Sequence, residues 1–200
     1  MNSHTTILWN LIQQILPPAE IENLRELVTC RFDLSRLATF DEAMGGPSIT
    51  TMNCNNSGRY DIADRDVFRP LQYCMAYFDV GTRDADLDWR TRDIIQMSSL
   101  HIESLIKRVG KIGSLPLGAA LGKAVVRTKV DSLTYSVINQ FVAIYNASKH
   151  DVSQPKDTHM FSVEDAVLAY VLCRRLGMRL YPLASLLTDL TIFDSRCVGK

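Results

Sequence analysis

Apolar residues along this chain recur mostly at the three-and-four spacing of helices. Ile7, Leu8, Leu11, Ile12, Ile15 and Leu16 trace a first helix over 6–16. Pro17 and Pro18 must end it, because proline lacks an N–H and its ring clashes with the preceding turn. A second helix is predicted from about Ala19 to Arg31. Between Gly45 and Asp66 the punctuation Gly45-Gly46-Pro47, Asn53, Asn55-Asn56 and Ser57-Gly58 interrupts any period, which predicts a long irregular loop. Loops of that length are usually functional or mobile. The run LQYCMAYFDV over 71–80 is too short for periodicity to separate strand from helix, and its helical surroundings favour helix.

The strongest pattern runs from Asp86 to Val109. On a helical wheel Ile95, Ile102, Leu105, Ile106 and Val109 share one face, with Arg92, Lys107 and Arg108 away from its centre. Such a helix has about six turns. Gly110 to Gly113 closes it, and a short turn opened by Pro116 leads onward. From Asp131 to about Lys149, Tyr135, Ile138, Phe141, Val142 and Tyr145 form an apolar stripe. Asn139, Ala143, Asn146 and His150 make a polar edge beside it if the helix reaches His150. Ser162-Val163-Glu164-Asp165 reads as a capped helix start, with Arg174-Arg175 before Gly177 as its end. The intervening AVLAYVLC is apolar all round, which predicts an enclosed central helix.

These elements predict an all-α fold, an up-and-down helical bundle with N-terminal helices and a long irregular loop. Residues 1–85 form an N-terminal helical region containing the 45–66 loop, and 86–200 form the bundle; the alternative is one continuous domain. An apolar fraction of 46% over 200 residues is enough to bury a core. Lys plus Arg and Asp plus Glu each total 22, so nucleic-acid binding would require a local basic patch. No run approaches the length of a membrane span, and Met1 to Leu16 shows neither a basic leader nor a cleavage site. Cys30, Cys54, Cys74, Cys173 and Cys197 are odd in number and contain no C-x-x-C pair, which predicts reduced thiols and a cytoplasmic protein. The Asn55 and Asn146 sequons are set aside, since glycosylation needs a secretory setting.

Candidate chemistry is sparse. Gly118 and Gly122-Lys123 are separated by three residues where a phosphate-cradling loop needs four, and Ala124 follows where Ser or Thr is required. His101 and Glu103 lie roughly 100° to either side of the centre of the apolar stripe, so one metal cannot easily take both. His150, Asp151 and His159 could ligate a metal by donor type, but such residues more often cap helices, and neither metal nor cofactor is assigned. Asn146-Ala147-Ser148-Lys149-His150-Asp151 collects an amide, an ammonium, an imidazole and a carboxylate at a helix end. Lys149 and His150 also suit the negative end of a helix dipole, and Asp151 could orient the next turn.

This segment, the helix holding His101-Ile102-Glu103 and the stretch from His159 to Gly177 together resemble the HEPN superfamily, helical bundles of toxin-antitoxin, abortive-infection and other nucleic-acid defence systems. The likeness spans Asp86 to Pro182 at most. Active members carry R-N-x-x-x-H; here Asn146 and His150 fit, and Tyr145 stands in the Arg position. The resemblance implies metal-independent RNA chemistry, with the imidazole handling protons and the guanidinium stabilising charge on phosphorus. Losing that cation costs on the order of 3 kcal/mol, roughly a hundredfold in rate. The expected function is therefore binding of RNA or a protein partner through the Asn146 to Asp151 edge, with weak or no catalysis, as a homodimer. Lys149, Arg127 and Lys129 are candidate phosphate contacts, and Tyr145, Asp151, His101 and Glu103 are supporting residues. The alternatives are a ribonuclease using His150, Asn146 and Lys149, in which Lys149 or a partner-chain Arg replaces the missing guanidinium, and a purely structural module.

Overall fold

Buried residues repeat at helical spacing in each of the longer elements, and the fold is an all-α bundle. The computed structural model of the chain describes residues 3–45, 49, 62–150 and 161–185, with the backbone alone at 62–66, 150 and 185. Nine helices and no strand lie among them: α1 (Ser3–Ile15), α2 (Pro18–Thr29), α3 (Leu34–Met44), α4 (Ile62–Arg83), α5 (Leu87–Gly110), α6 (Leu117–Leu121), α7 (Ala124–Lys129), α8 (Ser132–His150) and α9 (Val163–Ser185).

The first proline pair works as expected. Pro17 is the N-cap of α2 and Pro18 its first residue, where a missing N–H costs nothing. Helix α3 was not anticipated, although its ends carry the usual signals: the Asp33 carboxylate accepts the Ser35 N–H at 2.8 Å, and Gly45 follows with φ of 80°. The expected loop over 45–66 lies largely outside the described residues, and its end is corrected, because α4 already begins at Ile62. The apolar run over 71–80 is helical, and the same buried stripe starts earlier, at Val67, Phe68 and Leu71, continuing through Cys74 and Phe78. That packing carries the helix across Pro70.

Helices α4 and α5 form a hairpin around Ala85, which takes the left-handed conformation with φ of 55°. Gly81 permits the close approach: a Cβ there would lie 2.9 Å from the Leu87 Cα. Helix α5 packs most extensively on α4 and α9, and α1 lies across α9 and α8. Two short helices, α6 and α7, replace the single turn expected after Pro116.

Helix α9 opens with a reciprocal cap. The Asp165 N–H donates to Ser162 Oγ at 3.1 Å, and the Ser162 N–H donates back to Asp165 Oδ2 at 2.8 Å. Asp165 Oδ1 also accepts the Thr5 hydroxyl at 2.7 Å, which ties α1 to this end. Ala166 to Cys173 are buried on all sides, so the enclosed helix is as expected. Its end is corrected: α9 passes Gly177 and Pro182 and runs to Ser185. Gly177 is there for proximity, since a Cβ would collide with His101 Nε2 on α5, and the buried stripe continues through Leu176, Leu180 and Ala184. One apolar cluster reaches from Leu8 to Ala184, so residues on both sides of 85 share a core. No helix among the described residues is long and apolar enough to cross a membrane.

Candidate functional site

Helix α8 is held by an Asp131 cap, whose carboxylate accepts the Thr134 N–H at 2.9 Å. Ile138, Phe141, Ile144 and Tyr145 face the core, while Asn139, Ala143 and Asn146 are exposed along the other side. The polar edge therefore exists as a surface. The backbone of His150 ends the helix; its side chain, Asp151 and His159 lie outside the described residues.

At the C-terminal end of that edge, α8 meets α5 around one carboxylate. Glu103 Oε1 accepts from Lys107 Nζ at 2.6 Å. Its other oxygen, Oε2, accepts the Tyr145 hydroxyl at 3.1 Å. Lys149 Nζ is 4.0 Å from the same oxygen and 3.4 Å from the centroid of the Tyr145 ring, a cation–π contact. Gln96 fixes the last turn of α8 by donating to the Ser148 carbonyl at 2.6 Å. Burial, and then the charge on Glu103, push the Tyr145 phenol well above its ordinary range, so it stays a neutral donor. Two ammonium groups surround one carboxylate, which leaves a net positive charge at the surface. Such a group of side chains can hold an oxyanion. The Tyr145 hydroxyl is given to Glu103, and a neutral phenol supplies no permanent positive charge.

The structure brings Glu103, Tyr145 and Lys149 together beside Asn146 and adds Lys107, which the helical wheel places away from the centre of the apolar face of α5. The signal for it was present, since Glu103 and Lys107 are spaced i, i+4. His101 is elsewhere. It points from α5 toward α4 and α9, fully buried, with Nδ1–H donating to the Val67 carbonyl at 2.7 Å and Nε2 against Gly177. Burial drops its imidazole from 6.5 to about 4; the Val67 contact opposes this and the charge on Arg174 adds to it. A neutral histidine sealed in the core contributes nothing to the α8 edge. Arg127 and Lys129 lie near the opposite end of α8, where the Arg127 guanidinium is 5.8 Å from the Tyr135 ring and Lys129 Nζ donates to the Val109 carbonyl at 3.3 Å.

A second acid-centred cluster, unforeseen from sequence, joins α3 to α9. Asp41 Oδ1 accepts the Tyr170 hydroxyl at 2.8 Å and Arg174 Nε at 2.9 Å. Arg174 also donates to the Gly45 carbonyl at 3.1 Å. These side chains are as buried as the apolar core around them. No group of three or more potential metal ligands converges among the described residues. The chain matches no family model, no curated protein and no solved structure.

Proposed function

We propose that this chain is a HEPN-like, RNA-binding helical protein of a prokaryotic defence or RNA-related system, with weak or no cleavage activity. The observation that carries the reading is the exposed edge of α8, Asn139, Ala143 and Asn146, ending at Lys149 and Lys107 around Glu103. Amides and ammonium groups along one helix face suit a phosphate backbone. A homodimer pairing two such edges, and a cytoplasmic setting, belong to the same reading. The free thiols of Cys30, Cys74 and Cys173 support the latter.

Poor catalysis follows from Tyr145. The motif's cation is replaced by a buried neutral phenol whose hydroxyl is given to Glu103, so that position supplies no permanent positive charge to an anionic transition state. The test is binding and turnover of labelled single-stranded RNA in the presence of chelator. Binding should weaken steeply with salt and should fall several-fold in Lys149→Gln, while the RNA stays intact. A salt-independent affinity, or capture of a protein without RNA, would sink the reading. Cleavage that His150→Ala abolishes would replace it with the ribonuclease alternative.

A further inference from the structure

Charge in this neutral chain is strongly segregated. Residues 104–150 contain Lys107, Arg108, Lys111, Lys123, Arg127, Lys129 and Lys149, against Asp131 as the only acid. The fold gathers most of these cations at one end of the bundle. Lys129 bonds to the Val109 carbonyl at the end of α5, and the Val126 side chain lies against Gly110. Arg127 reaches over Tyr135 at the start of α8. Lys111, the left-handed cap residue of α5, and Lys123, Arg127 and Lys129 on α7 are all exposed. No carboxylate among the described residues is within ion-pair distance of these four. Asp131 is occupied as the cap of α8.

Helix polarity accounts for part of this pattern, because cations are favoured in the last turns of α5 and α7. It does not account for Lys123. That residue is the N-cap of α7, the end where a cation is disfavoured. Beside the cations, Val125 and Leu133 are left 37% and 38% exposed. Cations interleaved with accessible apolar groups and an aromatic ring match what a single strand offers, a charged backbone with bases that stack or pack.

We propose that this end, formed by Lys111, Lys123, Arg127 and Lys129, is a sequence-independent binding face for the phosphodiester backbone of single-stranded RNA. It rests on the RNA reading above and extends that site beyond the Lys107–Lys149 group, so one strand would follow α8 from edge to end. The charge asymmetry supplies the local patch that the neutral chain as a whole lacks.

The experiment measures anisotropy of labelled single-stranded RNA across a salt series with the full chain, the triple variant Lys111→Gln, Lys123→Gln, Arg127→Gln, and Lys149→Gln. All three sites of the triple variant are exposed, and circular dichroism confirms its fold. The expected result is a loss of about tenfold or more in affinity for the triple variant and a log–log salt slope lower by about two, from roughly 0.7 per lost contact. An unchanged affinity and slope in the triple variant, with loss in Lys149→Gln, would overturn this face and leave the edge reading intact. Loss in the triple variant alone would uphold the face and overturn the edge. A wild-type chain that ignores RNA but binds phosphatidylserine vesicles through these residues would overturn both.

Discussion

The molecule contains the same three chemical groups twice, a carboxylate, a phenol and a cation, with opposite consequences. Around Asp41 the groups are Tyr170 and Arg174, and the side chains of the ion pair are 3% and 1% exposed. Around Glu103 they are Tyr145, Lys107 and Lys149; Glu103 is 11% exposed, and the two lysines are 28% and 33% exposed. In the first, the cation is a guanidinium that also bonds to a backbone carbonyl, so no ligand can reach it without unfolding α3 from α9. In the second, the ammonium groups keep one side in water. Chemistry alone does not separate a structural cluster from a candidate site; access does.

The most severe way to probe that contrast is to remove the acid from each cluster. Asp41→Ala removes the carboxylate that pairs with the buried Arg174 guanidinium and accepts the Tyr170 hydroxyl, and should cost about 3–5 kcal/mol. Urea unfolding followed by far-ultraviolet circular dichroism measures it. A loss under about 1 kcal/mol, the range of surface ion pairs, would erase the distinction.

The two clusters also differ in how far the sequence foretold them. Tyr145 and Lys149 are neighbours on one helical face, and Glu103 and Lys107 on another, so half of each contact was visible as spacing. Asp41 and Arg174 are 133 residues apart, and no local pattern can pair them. Gly177, three residues on, places Arg174 at a helix end in the sequence, a signal that competes with tertiary packing. Only the fold reveals that Gly177 makes room for His101. Helix α3 is not legible in the sequence for a related reason: its apolar residues Leu37, Phe40 and Met44 are few, and buried Asp41 falls on the same face. The long helices were legible, since α5 and α8 carry unbroken stripes that packing then uses.

A smaller effect than loss of Asp41 comes from acid, and it too belongs to the sealed region. His101 has an ordinary pKa of 6.5 in an unfolded chain but about 4 when folded. Below pH 6.5 the unfolded chain takes up a proton that the folded chain refuses, so stability present above 6.5 is lost progressively as pH falls toward 4. Linkage puts the loss between pH 7 and pH 5 at about 2 kcal/mol. Urea titrations at the two pH values should show it, and His101→Gln should flatten the dependence over that interval. An equal slope in the variant would assign the acid sensitivity to another group.

The least disruptive test bears on the open cluster. Glu103→Gln keeps one of the two acceptor oxygens, enough for Lys107 or for the Tyr145 hydroxyl, with the amide NH2 in the place of the other, and removes the charge that neutralises Lys107 and Lys149. Stability should change by less than about 1 kcal/mol, because the lysines remain hydrated. RNA affinity should move the other way, rising about fivefold, since roughly 1 kcal/mol of screened attraction is redirected to a phosphate. The salt slope should steepen by about 0.7, one additional backbone contact on a single strand. In a cluster that only braces α5 against α8, the same substitution leaves affinity unchanged or lowers it. A gain in binding with an unaltered melting curve would mean that Glu103 occupies, in the free protein, the position a phosphate takes in the complex.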